Sequence, residues 1–413
     1  MLSKYYRANY LELHKSLNTY AFLMAFPIFL VVGQNISLLI FISFVFKYGK
    51  KLGLLSIQYY PQLILLVFGI GSIASVINLD STGPEALGRS LAVLPNYLYW
   101  ALLIIVLINI NRFLSAKWLA RFIFFGVICS LIYYYTQNLI PRVPLFINRT
   151  SPNSFSFLMI CFTAPAAVFI YQRYPNKLNA IFFILLIAFA LATEGRRAGT
   201  VLVFASAFIA LIVTKINPKQ LAISLIIVLG INIAISTEIV ESSIATLNPR
   251  IYELLYENEN ITTEDRSYLV RRLMIEKALI IFKEHPLTGI GLNNFSNFDV
   301  VFSGDFEGSE FVANKVTMND KSAHNSYFAL LSEGGLMVFL PFLLLLLYNL
   351  YYFVRYYNFR TQIENAYYWS FTGMCIHLYF ISAILNVYAW FLIGIVSALS
   401  VKYKVLSKNY SSN

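Results

Sequence analysis

Residues 91–110 read LAVLPNYLYWALLIIVLINI and contain no charged side chain. An α-helix rises ~1.5 Å per residue, so a run of this length crosses the ~30 Å hydrocarbon core of a bilayer. Similar apolar runs recur through most of the chain. Of its 413 residues, 58% are hydrophobic and only 12% are charged, and the mean hydropathy is +0.66. A soluble domain cannot hide that much apolar surface. Aromatic residues make up 16% of the chain and gather near the ends of the runs, as interface belts do. A transmembrane barrel requires period-two alternation, which these runs lack. The fold class is therefore all-α, a polytopic membrane protein.

About twelve spans are expected, near 19–32, 36–47, 61–78, 91–110, 119–138, 153–171, 178–192, 198–214, 220–237, 325–352, 366–383 and 386–402. Gly33-Gln34-Asn35 leaves open whether residues 19–47 form one bent span or two. The chain divides into a helical block over 1–237, a charged segment over 238–323, and a second helical block with a tail over 324–413. The net charge of +11 does not indicate nucleic acid. Most Lys and Arg lie in short connections, where the positive-inside rule places them. With the N-terminus cytoplasmic, the inner connections and tails carry 18 cations against 5 in the short outer loops. Both termini are then cytoplasmic and residues 238–323 periplasmic, in a bacterial inner membrane. The N-terminus has no small-residue cleavage site, so no removable signal peptide is expected. Cys129, Cys161 and Cys375 all lie in apolar runs, without disulfide or metal spacing.

The charged segment has its own order. Over 264–284, Leu269, Leu273, Ile275, Leu279, Ile280 and Phe282 mostly follow helical spacing, which predicts an amphipathic helix. Thr263 and Glu264-Asp265 suit its start, and His285-Pro286 and Gly289 its end. A second helix is expected over 238–257, interrupted at Asn248-Pro249. Residues 303–322 are rich in Gly, Ser, Asp, Glu and Asn and read as a surface loop.

Four polar groups fall on the expected outer face. Arg196-Arg197 occupy a tight turn, Glu194 to Gly199, between two spans. Arginines at span ends often only snorkel, yet outer loops disfavour Arg, so an adjacent pair needs a reason. Arg271-Arg272 lie on the amphipathic helix, where a solvated face is the bland alternative. Arg142 and Arg149 flank Pro144 in another outer loop. His324 opens the next span, followed by Asn325-Ser326-Tyr327 and then Glu333-Gly334-Gly335. A neutral imidazole can take a proton from a hydroxyl near neutral pH. Guanidinium groups grip phosphate oxygens and stabilise charge on a leaving group. No carboxylate pair is spaced for a metal, and Gly289-Ile290-Gly291 is too short for a dinucleotide loop. The set suits displacement of a diphosphate by an alcohol, on a donor embedded in the bilayer.

At these residues the chain resembles the O-antigen ligase and O-antigen polymerase superfamily of envelope glycosyltransferases. Pro286-Leu287-Thr288-Gly289-Ile290-Gly291 looks like the family's Pro-Leu-x-Gly-x-Gly segment, with Arg271 upstream. His324-Asn325-Ser326 followed by Gly335 looks like the ligase signature, and Glu194 to Gly199 like the family's outward Arg turn. The resemblance covers about residues 190–350. It departs at Phe328, where the ligase pattern has Leu.

The resemblance implies a glycan donor on undecaprenyl diphosphate, no cofactor and no metal. His324 and Arg271 would be catalytic, with Arg196, Arg197, Arg272, Asn325, Arg142 and Arg149 binding substrate. The acceptor would be another lipid-linked glycan for a polymerase, lipid A-core for a ligase, or a Ser or Thr side chain for a protein ligase. Partners would be membrane lipids, a flippase and a chain-length regulator. Phe328, and the larger number of repeat-unit polymerases, favour a polymerase. The rival class is a transporter or lipid-linked glycan flippase, which would place ionisable residues mid-span.

A reporter enzyme active only outside the cytoplasm, fused within residues 303–322, is expected to be active. Activity of a cytoplasm-specific reporter at the same position would reverse the topology.

Overall fold

A computed structural model describes residues 42–48, 53–77, 84–111, 115–136, 151–174, 176–193, 197–213, 266–298, 300–303, 315–317, 323–381 and 386–411. The spans expected over 19–32 and 220–237, the first half of 36–47, and the helix expected over 238–257 lie outside the described residues. Among the described residues six helices are long and apolar enough to cross a membrane. They are α1 (Tyr60–Ile77), α2 (Pro84–Asn109), α3 (Ala116–Thr136), α4 (Pro152–Arg173), α8 (Ser326–Tyr356) and α10 (Val387–Ser411). Three shorter helices complete the bundle: α5 (Lys177–Thr193), α6 (Arg197–Ile212) and α9 (Gln362–His377). The amphipathic helix expected over 264–284 is α7, Arg266–Glu284.

Two expectations need correction. The span expected over 366–383 is α9, which starts and stops earlier. A capping box between Thr361 and Glu364 starts it, each side chain bonding the other's backbone N–H. Beyond His377 the chain turns, and Ser326 captures the Leu378 and Ile381 carbonyls at 2.8 and 2.6 Å. The segment expected as surface loop over 303–322 contains part of a hairpin. Strands β1 (Val301–Ser303) and β2 (Lys315–Thr317) pair antiparallel, with Phe302 opposite Val316.

Small residues set the closest helix approach. Gly69, Gly71, Ser72 and Ser75 are buried on α1, facing α8 and α2. A Cβ at Gly71 would stand 2.2 Å from the Met337 carbonyl oxygen, so only glycine admits the α8 backbone here. Beside this contact Trp390 of α10 stacks on Trp100 of α2, with ring centroids 5.3 Å apart. Phe68 and Phe342 close around Trp390 at 5.2 and 5.6 Å. The cluster ties α1, α2, α8 and α10 into one core. On its other side α4 is buried along most of its length among α3, α5, α6 and α9. Its start is fixed by Ser151, whose hydroxyl accepts the Ser154 N–H, with Pro152 in the first turn.

One end of the bundle is pinned by charge. The buried Glu364 carboxylate accepts from Lys402 Nζ at 2.8 Å and Tyr403 OH at 2.6 Å, joining α9 to α10. The Arg360 guanidinium lies 3.9 Å above the Tyr368 ring and donates to the Tyr352 and Phe353 carbonyls of α8. Burial pushes the Glu364 carboxyl up, but the Lys402 and Tyr403 bonds, the Lys402 charge and the Thr361 N–H outweigh it. The group is held below its ordinary range. A depressed folded-state value means that this stabilisation is complete above the ordinary carboxylate range of ~4.3. It is lost as pH falls through the lowered value. Glu364→Gln is expected to cost about 1–3 kcal/mol at neutral pH. It should also flatten that part of the acid dependence, read as thermal unfolding in lipid nanodiscs from pH 7 to 3.

Candidate active site

α7 buries Leu273, Met274, Lys277, Ala278 and Ile281. Met274, Ala278 and Ile281 recur at helical spacing and pack against the first half of α8, in one apolar cluster with Ile290, Phe295, Val300, Ala323 and Ala329. Continuing that stripe toward the start of α7 reaches Arg271. Arg272 falls instead in register with the exposed Glu276, Leu279 and Lys283. Lys277 is 0% exposed, with Nζ 4.8 Å from the centre of the Phe295 ring.

α7 ends at Glu284, and the residues that follow His285 insert into a break in α8. At Gly335 the helix adopts φ 57°, ψ −162°, a conformation that only glycine enters readily. The break frees backbone groups that a straight helix would pair internally. The loop pairs them instead. Leu336 and Met337 donate their N–H groups to the Pro286 and Leu287 carbonyls at 2.9 and 3.0 Å, and Ile290 N–H bonds the Ser332 carbonyl at 3.0 Å. The approach leaves no room for a side chain. A Cβ at Gly335 would stand 2.4 Å from the Leu287 carbonyl carbon, and one at Gly289 (φ 66°) 2.4 Å from that of Glu333.

Polar side chains lock the insertion. The Glu333 carboxylate, 8% exposed, accepts the Phe295 N–H at 3.1 Å and bonds the Asn293 backbone as well. Ser75 of α1 donates to the Glu333 carbonyl at 2.9 Å. Asn294, buried, donates to Ser90 Oγ at 2.9 Å and accepts from Arg89 Nε at 2.9 Å, and Ser90 donates to the Leu292 carbonyl at 2.8 Å. The loop therefore touches α2 and α8 together, and Ser75 ties the same stretch of α8 to α1.

His324 sits just before α8, half-buried, with φ 49°. A left-handed histidine is uncommon and marks a backbone held by its surroundings. Asn325 caps α8, its Oδ1 accepting the Tyr327 and Phe328 N–H groups at 3.0 and 3.2 Å. The Ser326–Leu378 bond sets this point against the end of α9. α6 and α9 run antiparallel, with Gln362 bonding the Ala210 and Leu211 carbonyls and Gly373 facing Ser206. The start of α6, at Arg197, thus shares the His324 end of the bundle. The structure gathers His324, Asn325, the Arg197 helix start and α7 at that end. Arg142, Arg149 and Arg196 lie outside the described residues.

Sequence reading missed several residues of this region: Ser75, Ser90, Arg89, Asn294, Lys277 and His377. The small residues in span 61–78 hinted at close packing. Nothing in the sequence paired Ser75 with the Glu333 carbonyl of α8, or Ser90 with the Leu292 carbonyl of the loop.

Residues 181–343 match the family model described as O-antigen ligase. The matched stretch runs from within α5 through α6, α7 and the inserted loop to beyond the break in α8. Over this stretch the chain is similar to the O-antigen ligase family. No curated protein matches the chain.

Gly335→Ala and Gly289→Ala are each expected to cost at least about 3 kcal/mol, from left-handed strain together with backbone overlap. The readouts are thermal unfolding in nanodiscs and protease nicking near residues 286–297. Wild-type stability in both variants would show that the loop does not depend on this contact.

Proposed function

We propose that this membrane enzyme of the O-antigen ligase and polymerase type transfers a glycan from undecaprenyl diphosphate to an acceptor hydroxyl at the periplasmic face of a bacterial inner membrane. The observation that carries the reading is the inserted loop. It fixes α7, the helix that carries Arg271, to the same helix that His324 and Asn325 begin.

In the proposed reaction His324 takes the proton of the acceptor hydroxyl, or orients it, as the oxygen attacks the anomeric carbon. The bond from that carbon to the diphosphate breaks, and the lipid diphosphate leaves. Arg271 neutralises the charge that grows on the leaving oxygens. Arg197 and Arg196 hold the diphosphate from the start of α6. Arg272 contacts solvent or the donor's outer part, and Arg142 and Arg149 complete the outer rim. No divalent metal or cofactor is assigned a role. Residues 238–323 act as a lid, anchored by α7.

Polymerisation of repeat units is favoured over ligation to lipid A-core. The support is Phe328, which packs against the α7 cluster where the ligase pattern has Leu. The transporter reading deserves one structural comment. Transporters use broken helices to line a pathway, and α8 is broken at Gly335. Here the freed backbone groups are bonded by protein carbonyls and the gap is filled by a loop. That favours a scaffold for an enzyme over a pathway for a solute.

His324→Ala is expected to abolish glycan transfer, a loss of about 100-fold or more, at unchanged protein level. Arg271→Ala should lose a comparable amount and Arg271→Lys recover only part, because bidentate geometry is gone. Arg272→Ala should stay within about threefold of wild type, as its exposed register implies. Envelope glycans of a deletion strain report the acceptor. Single repeats on core indicate a polymerase, and unattached polymer on its lipid carrier indicates a ligase. Normal polymer from the His324→Ala strain would contradict the assignment.

A further inference from the structure

Among the described residues, three buried polar atoms near the His324 end of the bundle have no hydrogen-bond partner: Asn325 Nδ2, His377 Nδ1 and Ser156 Oγ. Their residues are 2%, 5% and 1% exposed. Buried polar atoms are almost always paired, because an unmet donor or acceptor has lost its water and gained nothing in return. Unpartnered atoms elsewhere among the described residues, such as Trp100 Nε1 in the aromatic core or Arg360 Nε at the opposite end, stand apart from this group.

Asn325 and His377 belong to one neighbourhood. The Ser326 N–H bonds the Leu378 carbonyl at 2.8 Å, so the start of α8 lies against the turn that follows His377. Tyr327 OH reaches the Cys375 carbonyl at 2.8 Å, which fixes the same contact one turn lower. The His377 ring packs on the Phe157 ring of α4, with centroids 5.9 Å apart and planes 29° from parallel. Ser156 adjoins Phe157. Asn325 is held in one orientation, because its Oδ1 already caps α8. What remains of that side chain is an NH₂ group that can only donate.

We infer that Asn325 and His377 form a neutral hydroxyl-recognition site that holds a sugar ring of the substrate next to His324. This inference rests on the glycan-transfer reading above and adds His377 to it. The groups fit a sugar better than a phosphate. A hydroxyl both donates and accepts, as does a serine, and an imidazole nitrogen does one or the other according to tautomer. A diphosphate calls for cations, and those stand on α7 and at the start of α6. A site built to pair a substrate hydroxyl also discriminates strongly, since the wrong substrate leaves its buried groups unpaired. His377 thereby becomes a determinant of which sugar is accepted.

The test uses the full chain in membrane vesicles, with lipid-linked repeat units extracted from a host strain that lacks it. Asn325→Asp keeps the oxygen that caps α8 and removes the orphan NH₂. His377→Phe keeps a ring on Phe157 and removes both nitrogens, and His377→Asn restores a hydrogen-bonding atom near Nδ1. Asn325→Asp and His377→Phe should each raise KM for the repeat unit about tenfold or more, with kcat changed far less. His377→Asn should recover much of the loss. A purely structural histidine would lower the amount of folded protein and leave KM of the surviving enzyme unchanged. Unchanged KM in both variants, with active wild type, overturns the inference alone. Should His377→Phe fail to accumulate, Asn325→Asp decides. Wild-type vesicles that transfer nothing would overturn the glycan-transfer reading and the inference with it.

Discussion

The structure around the candidate site depends on one exchange of backbone hydrogen bonds. α8 breaks at Gly335, and the carbonyls of Pro286 and Leu287 take the N–H groups that the break sets free. A helix broken inside an apolar bundle would otherwise leave those groups unpaired where no water reaches them, at several kcal/mol for each. The loop fits only because Gly289 and Gly335 present no side chain where the two backbones meet. Glu333, Ser90 and Asn294 then fasten the same loop to α8 and α2, and Ser75 ties Glu333 of α8 to α1. The loop continues directly from α7, so fixing it also fixes the helix that carries Arg271.

The bundle divides its work between two ends. At one end Glu364, Lys402, Tyr403 and Arg360 tie α8, α9 and α10 together with charged and aromatic contacts. In the middle the Trp100–Trp390 stack and the α1 glycines hold the helices close. At the other end His324 is held in a left-handed conformation. Strained backbone is costly in a scaffold and useful in a binding site. That contrast supports assigning the chemistry to the His324 end.

The legible part of the fold was the part governed by local rules. Apolar run length marked α1 to α4, α8 and α10, and helical periodicity marked α7 to within a few residues. The end of α9 was misplaced because hydropathy does not register a turn caught by Ser326 from another helix. The break in α8 was also hidden, since its flanks are apolar and Glu333-Gly334-Gly335 reads as a tolerable polar patch. In the site, His324 and Arg271 stood out as polar residues where the bilayer disfavours them. The partners of Glu333 and Asn294 could not be found that way, because they are serines and backbone groups distant in sequence. His377 was hidden by its place at the end of an apolar run, where a single histidine is usually packing. The adjacent pair Arg271-Arg272 was ambiguous as a string and becomes distinct once the buried face of α7 is known.

The central claim is that the inserted loop brings α7 and the start of α8 around one diphosphate. A cryo-electron microscopy structure of the full chain in a lipid nanodisc, with undecaprenyl diphosphate bound, tests it most directly. The expected density places the diphosphate between the Arg271 face of α7 and His324, with Gly289 still seated in the break at Gly335. A diphosphate bound elsewhere on the protein, away from both residues, would contradict the claim.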